Sequence, residues 1–258
     1  MAARARAAFV CLYTLAVAET KYELEGRVAV VTGASRGIGC AIAEALMSHG
    51  CSVVIAARHV ASLEDVAKRL AHYDARVAPY ECDIRDEAAV QRLFAFVGEE
   101  FGHLDFLVNN AGIYGPAKAV GETDVEGWRE ALDTNLTGTF LCTRYALPLM
   151  KAGSVIVNNL SIAAYQVFPN SSAYIASKMG ARGLTEATRE DVRKQGTRVM
   201  ALVPGATDTE IWNQFWPDAP RHKMMDAESV ASLVLETVLL SPKANLTELV
   251  LDPMEGAL

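Results

Sequence analysis

The stretch Val28-Ala29-Val30-Val31-Thr32-Gly33-Ala34-Ser35-Arg36-Gly37-Ile38-Gly39 decides the fold. Four small or β-branched apolar residues run into Thr-Gly, and glycines follow at 33, 37 and 39. Such a run reads as a buried strand turning tightly into a helix, because glycine tolerates the backbone of the turn and lets a ligand come close. A helix opening near Gly37 would direct its free N–H groups and the positive end of its dipole out of the turn, which suits a phosphate. The same letters hold a second pattern. Gly33-Ala34-Ser35-Arg36-Gly37 matches the G-x-S-x-G elbow of hydrolases, in which Ser35 would need a downstream histidine such as His222. A glycine-rich turn is also often only a turn, so the rest of the chain must decide.

Outward from this stretch, apolar runs suited to strands alternate with longer amphipathic segments. Strands are expected at 28–32, 52–56, 76–81, 104–109, 154–160, 198–203 and 246–251. Helices are expected at 37–50, 61–72, 86–101 with Asp86 as N-cap, 125–150, 173–195 and from 227 onward. This alternation is the mark of an α/β domain, a doubly wound, mostly parallel seven-stranded sheet flanked by helices. The 258 residues suit one domain over 24–258, preceded by an N-terminal extension at 1–23. Residues 204–226 are too long for an ordinary connection and carry Trp212, Phe215, Trp216 and Pro217. They read as an aromatic lid over a substrate, with a self-association surface as the alternative.

Composition narrows the partners. A net charge of −7 argues against a nucleic-acid surface, so an anionic ligand must be held by a few local cations. Cysteines at 11, 40, 51, 82 and 142 are odd in number and form no C-x-x-C pair, the pattern of reduced core thiols. The histidines at 49, 59, 72, 103 and 222 form no ligand cluster, and no metal is expected. Arg4, Arg6 and the apolar run from 7 to 17, followed by Ala16-Val17-Ala18, have the outline of a signal or organelle-targeting peptide. The run is too short to span a bilayer comfortably, so no membrane partner is expected; the cytoplasm is favoured because the cofactor inferred below is an intracellular one.

Tyr174 and Lys178 stand four apart near the start of a predicted helix, which puts phenol and ammonium on one face. A nearby cation favours phenolate, so the pair can exchange a proton close to neutral pH. Ser161 follows the fifth strand, at the carboxyl edge where open α/β sheets bind ligands. Asn135 lies mid-helix, where an amide is unhelpful to the helix and is either a polar functional group or a satisfied interior amide.

Thr32-Gly-Ala-Ser-Arg-Gly-Ile-Gly39, Asn109-Asn-Ala-Gly112, Asn135, Ser161 and Tyr174-x-x-x-Lys178 together resemble the short-chain dehydrogenase/reductase family, including the thirteen-residue step from Ser161 to Tyr174. The resemblance implies a single-domain Rossmann-type fold and hydride transfer between a nicotinamide and a ketone or alcohol carbon. It implies Tyr174 as general acid or base, and Lys178 as the cation that lowers its pKa and holds the nicotinamide ribose. Ser161 would orient the carbonyl, and Asn135 would anchor a water-mediated proton relay. The cofactor would lie along Gly33, Ser35, Arg36, Gly37, Ile38 and Gly39, with Asp83 at the adenine. Asn109, Asn110, Ala111 and Gly112 would close the adenine side of the cleft, and Pro204, Gly205 and Thr207 belong to a segment that resembles the family's P-G-x-x-x-T, with Thr209 a candidate for the carboxamide. The second strand ends at Ala57, followed by Arg58, where an acid would accept the ribose hydroxyls of NAD. Arg58 and Arg36 instead suit a 2′-phosphate, so NADP(H) is expected. The chain resembles NADP-dependent 3-oxoacyl-carrier-protein reductases and related carbonyl reductases, although the ending Leu251-Asp-Pro-Met-Glu-Gly-Ala-Leu258 departs from their glycine-rich one, which speaks against acyl-carrier substrates. A homodimer or homotetramer through the two long helices is implied. A hydroxy-acid dehydrogenase and a catalytically silent nucleotide-binding regulator are the alternatives.

Overall fold

The computed structural model describes residues 23–256. The apolar run, its arginines and Cys11 lie outside the described residues. Seven strands form one sheet: β1 (Val28–Thr32), β2 (Ser52–Ala57), β3 (Val77–Glu81), β4 (Leu104–Asn109), β5 (Met150–Asn159), β6 (Arg198–Pro204) and β7 (Glu248–Leu251). Their order is β3-β2-β1-β4-β5-β6-β7, and every pairing is parallel. The helices are α1 (Gly37–Met47), α2 (Val60–Leu70), α3 (Glu87–Phe101), α4 (Val125–Leu132), α5 (Gly138–Ala146), α6 (Ser172–Val192) and α7 (Ala227–Leu239).

Strand alternation sends neighbouring side chains to opposite faces, and both faces are covered. Ala29 and Val31 pack with Ile42 and Leu46 of α1 and Val230 and Val234 of α7. Val28 and Val30 pack on the other side with Val90 and Leu93 of α3 and Leu141 of α5. This double burial is why the strands read as continuous apolar runs. The order reverses at β1, with β2 on one side and β4 on the other. Connections leave those neighbours toward opposite faces, which opens a crevice at the carboxyl ends of β1 and β4.

The expected helix at 125–150 is not continuous. α4 ends at Leu132, a π-helical turn spans Asp133–Thr137, and α5 follows, with a single 3-10 turn at Leu147–Leu149 before β5. A π turn adds a residue to the helical ring without disturbing the apolar spacing enough to be read from sequence. β5 also starts at Met150, ahead of its apolar pattern, because Met150 pairs with Leu104 before a register shift.

The turn after β1 is tightly filled. Gly33 has φ +64°, and a Cβ there would stand 2.7 Å from Ala111 Cα. A Cβ on Gly39 would lie 2.3 Å from Asn110 Nδ2 and 2.6 Å from Gly33 O. Helix propensity alone predicts that Gly39→Ala gains about 1 kcal/mol. The packing predicts the reverse, a loss of about 1 to 3 kcal/mol. The sign of the shift in the urea midpoint decides between them.

Candidate active site

Three strand ends are tied together at the mouth of the crevice. Thr32 Oγ1 accepts from the N–H groups of Asn110 (3.0 Å) and Ala111 (3.1 Å). Asn110 Nδ2 donates to the carbonyls of Thr32 (3.0 Å) and Gly33 (3.2 Å), and its Oδ1 accepts from Asn159 Nδ2 (2.8 Å). Asn110 therefore faces the cleft but gives its amide to β1 and β5. Asn109 turns inward and donates to Thr143 and Asn158. The resulting cleft has a volume of about 660 Å³. Every cofactor residue expected from the sequence lines it except the inward Asn109 and Gly39, which is buried behind the turn and acts by letting Asn110 in. Ser161, Tyr174 and Lys178 line it as well, and Asn135 does not. Ser35 lies at the turn, but His222 is exposed on Arg221–Lys223 and is not among the lining residues, so the hydrolase pattern gains no partner.

One end of the cleft is suited to an anion. Asp86, Asp124 and Asp226 cap α3, α4 and α7 with their carboxylates. α1 has Arg36 at its N-cap and no side-chain cap, so its first N–H groups are left for a ligand. Arg36 and Arg58 both line this end, and among the described residues neither forms an ion pair. The nearest acid on β3, Glu81, accepts from Val60 N and caps α2. Asp83 is gripped by Arg85 at 2.7 Å, and Arg85 also reaches Glu130 at 3.0 Å. Those hydrogen bonds from Arg85, aided by Arg58, hold the Asp83 carboxyl below its usual range. Arg85 was not singled out from sequence; its spacing two residues after Asp83 is the only local signal. The uncapped helix, the glycine turn and the two guanidinium groups fit a dinucleotide bearing a diphosphate and an additional phosphate.

The other end carries the proton chemistry. Tyr174 and Lys178 lie on the first turns of α6, with Lys178 Nζ 5.7 Å from the Tyr174 ring centre. Lys178 Nζ donates to Asn159 O at 2.9 Å. Burial pushes the Tyr174 phenol up to about 12, against which the hydrogen bond with Ser161 works, while Tyr114 adds to the rise. The expected lowering by Lys178 does not emerge: desolvation dominates, only Ser161 works against it, and Tyr174 is held as a neutral phenol. Ser161 also accepts from Ala163 N at 3.2 Å, which fixes its side chain as the chain leaves β5.

Asn135 is anchored by the π turn that interrupts the expected helix. Its Oδ1 accepts from Ile113 N (2.9 Å), and its Nδ2 donates to Ile113 O (2.9 Å) and Ser177 Oγ (2.8 Å). Both donors are used, so the amide joins the Gly112–Ile113 segment to α6 and does not reach into the cleft. Its side chain has a positioning role here, and its main-chain carbonyl accepts from Thr139 Oγ1 at 2.9 Å.

Burial lowers the Lys178 ammonium from 10.5 to about 8. Between those values the unfolded chain holds a proton that the folded chain has released, so this residue makes stability rise with pH. Its penalty is fully present below about 8. In Lys178→Met that pH dependence disappears. The stability of the wild type relative to the variant is expected to rise by about 2 kcal/mol from pH 7.5 to 9.5, measured by urea unfolding at the two pH values.

Aromatic rings cover the chemical end. Tyr114 stacks on Tyr174 with centroids 4.8 Å apart, and Phe215 stacks on the other side of Tyr114 at 3.7 Å and 8°. Trp212 lies 5.0 Å from Phe215 and 6.1 Å from Trp216. Trp212, Phe215 and Trp216 come from the irregular segment after β6 and line the cleft, as expected of a lid. Arg221 fixes the base of that segment by donating to Asp208 Oδ1 (2.7 Å), Thr209 O (2.6 Å) and Asn213 Oδ1 (2.7 Å). Tyr114 and Arg221 escaped sequence reasoning because neither stands in a recognisable spacing with its partners. Among the described residues no group of three or more His, Cys, Asp or Glu side chains could hold a metal ion. Among them, too, no helix is long and apolar enough to cross a membrane.

Comparison with known proteins agrees with this geometry. A family model described as short chain dehydrogenase matches residues 27–220. The farnesol dehydrogenase of Aedes aegypti is 36% identical over 237 residues, covering 89% of this chain and 96% of its own. A 3β-hydroxysteroid dehydrogenase of Mediterraneibacter gnavus is 37% identical over 186 residues, covering 72% of this chain and 67% of its own. Among solved structures, an alcohol dehydrogenase of the archaeon Thermococcus sibiricus complexed with 5-hydroxy-NADP superposes with a TM-score of 0.82 at 31% identity, covering 87% of this chain and 95% of that one. With its parallel sheet and the Ser161, Tyr174 and Lys178 grouping, the chain belongs to the short-chain dehydrogenase family, whose members are oxidoreductases acting between alcohol and carbonyl.

Proposed function

We propose that the protein is an NADP(H)-dependent oxidoreductase that interconverts an uncharged, largely apolar ketone and its secondary alcohol. The observation that carries this reading is the meeting of Ser161, Tyr174 and Lys178 in a cleft whose far end offers an uncapped helix and two unpaired guanidinium groups. The structural relative from Thermococcus sibiricus, complexed with 5-hydroxy-NADP, supports the choice of dinucleotide. The N–H groups at the start of α1 would hold the diphosphate, Arg36 and Arg58 the 2′-phosphate, and Asp83 the adenine. The main chain at Ala111 and Gly112 and the segment from Pro204 to Thr209 would flank the nicotinamide half. The cofactor, when bound, supplies or accepts the hydride.

The chain's own residues manage the proton. Tyr174 gives its hydroxyl proton to the carbonyl oxygen during reduction and takes it back during oxidation. Ser161 donates a second hydrogen bond to the same oxygen. Lys178 brings positive charge beneath the phenol and holds the ribose, and Asn135 keeps the loop and α6 in register. A phenol held protonated at neutral pH is in the state that the proton donor of the reduction requires.

Around the reacting end stand Ile113, Tyr114, Ile162, Phe168, Trp212 and Phe215. The cation at this end, Lys178, is buried and committed to Asn159 O, so a carboxylate among the apolar residues would lose its hydration without a free partner, which favours a neutral ketone over a hydroxy acid. Farnesol dehydrogenase and 3β-hydroxysteroid dehydrogenase, the names of two relatives, are consistent with an alcohol substrate. The four described cysteines are free and buried, in keeping with a reducing cytoplasm. Phe140 on α5 and Met179 on α6 are exposed apolar residues that support self-association through these helices.

The test is consumption of NADPH against a graded set of neutral ketones and keto acids, with NADH as control. Neutral ketones are expected to be reduced with NADPH, and keto acids at least about tenfold more slowly. A preference for keto acids or for NADH overturns the corresponding part of the reading. Absence of turnover on every carbonyl would point instead to the silent regulator.

A further inference from the structure

Tyr174, Tyr114 and Phe215 stand in one column, with Tyr114 in the middle, 4.8 Å from the first ring and 3.7 Å from the second. The outer end of the column is fixed. Trp212 Nε1 donates to Thr207 O at 2.8 Å, Phe215 N to Trp212 O at 3.2 Å and Arg221 to Asn213 Oδ1 at 2.7 Å, so Phe215 is held against Tyr114. The chain on either side of Tyr114 is fixed as well. Asn135 bonds both main-chain groups of Ile113, and Gly115 has φ +77°, where a Cβ would stand 3.0 Å from Ala131 Cβ. Ser171 completes the arrangement. It is buried at the N-cap of α6, where a serine side chain ordinarily accepts from the first N–H groups of the helix, and here it makes no such bond. Its hydroxyl donates instead to Pro169 O at 2.9 Å and so accepts from the Tyr114 hydroxyl, 2.5 Å away. The cap of the helix that carries Tyr174 is thus given over to holding Tyr114.

We propose that Tyr114 is a positioning residue for the reaction: by fixing the plane of the Tyr174 ring, it aims the phenol at the carbonyl oxygen. Ser161 meets only the hydroxyl of Tyr174, and Lys178, 5.7 Å from the ring centre, is committed to Asn159 O. Tyr114 supplies the stacking contact that those two do not. A proton donor works within about 2.6 to 3.2 Å of its acceptor, and a misplacement of about 1 Å costs as much as about a hundredfold in rate. Without the neighbouring ring, Tyr174 gains the space to tilt out of that range. Tyr114 therefore acts through the Tyr174 proton and has no proton of its own to give, since its hydroxyl is bound to Ser171. This inference rests on the reading of the protein as a carbonyl reductase in which Tyr174 is the acid.

The test is single-turnover oxidation of NADPH by the full-length protein with the neutral ketone it reduces fastest, over a range of ketone concentrations. Tyr114→Leu is expected to lower the maximal rate about tenfold to a hundredfold, with half-saturation by ketone changed less than about twofold. The decisive variant is Tyr114→Leu combined with Tyr174→Phe. The proton that Tyr114 aims is already gone there, so the leucine is expected to cost less than about twofold more. Tyr114→Phe and Ser171→Ala remove one hydrogen bond from its two ends. Each is expected to slow reduction about two- to tenfold, and the pair together no more than either alone. Titration with NADPH shows which variants keep a folded cofactor site, and this second cycle carries the test if the leucine variant does not fold. An equal cost of Tyr114→Leu with and without Tyr174, or a cost seen only in half-saturation, makes Tyr114 a wall of the substrate pocket and overturns the proposal. Additive losses in the second cycle overturn it likewise. If wild type reduces no ketone, or Tyr174→Phe reduces as fast as wild type, the carbonyl reductase reading itself fails and takes this proposal with it.

Discussion

Tyr174→Phe is expected to slow carbonyl reduction by about a hundredfold to ten-thousandfold while NADPH still binds. The substitution removes one oxygen and leaves the ring, so the stack on Tyr114 at 4.8 Å and the packing of α6 persist. What disappears is the proton donor aimed at the carbonyl oxygen. Ser161 remains to hydrogen-bond that oxygen, but a hydrogen bond does not deliver the proton that the alkoxide needs when hydride arrives. The loss should therefore fall on kcat with little change in KM, the signature of an interaction made in the transition state. Single-turnover oxidation of bound NADPH measures it, and a fluorescence titration with NADPH shows that the cofactor site is intact. Reduction by the variant at the wild-type rate would end the assignment of Tyr174. Because burial holds the phenol near 12, wild-type reduction is not expected to lose Tyr174 protonation anywhere between pH 6 and 9.

The sheet was legible because its strands are buried on both faces and so appear as unbroken apolar runs. Val28–Thr32 and Leu104–Asn109 begin and end where the pattern places them. Boundaries failed where backbone geometry changed without a change in polarity. The π turn at Asp133–Thr137 is the clearest case, since apolar residues continue on both sides of it. The Asn135 amide, which meets Ile113 and Ser177, sits in this turn, so the reading of a continuous helix could not foresee its partners. Tyr174, Lys178 and Ser161 were readable because fixed spacing on a helix and at a strand end determines where they go. Tyr114, Arg85 and Arg221 were not, because their partners lie in other segments: Phe215, Glu130 and Asp208 meet them only through the fold. The same holds for Gly39, whose glycine is required by a side chain seventy-one positions away, Asn110.

Arg58→Ala is expected to weaken NADPH binding by about tenfold to a hundredfold and to leave NADH binding unchanged. A charge-assisted hydrogen bond is worth about 1.5 to 3 kcal/mol, and only NADPH carries the phosphate that would receive it. The position is favourable for three reasons. β2 ends at Ala57, so no acidic side chain stands at the strand end to repel a phosphate. Glu81, the acid on the neighbouring strand, is committed to Val60 N and cannot repel a phosphate as a free carboxylate would. Asp83 is neutralised in large part by Arg85, so the local field is set by Arg36 and Arg58. Arg36 stands at the uncapped start of α1, nearer the expected diphosphate, and Arg36→Ala should weaken both dinucleotides, NADPH more than NADH. Titrations of each variant with both cofactors separate these patterns. Equal losses for NADPH and NADH in Arg58→Ala, or no loss in either, would show that this guanidinium is a solvated surface group, and dinucleotide choice would then have to rest on Arg36 alone.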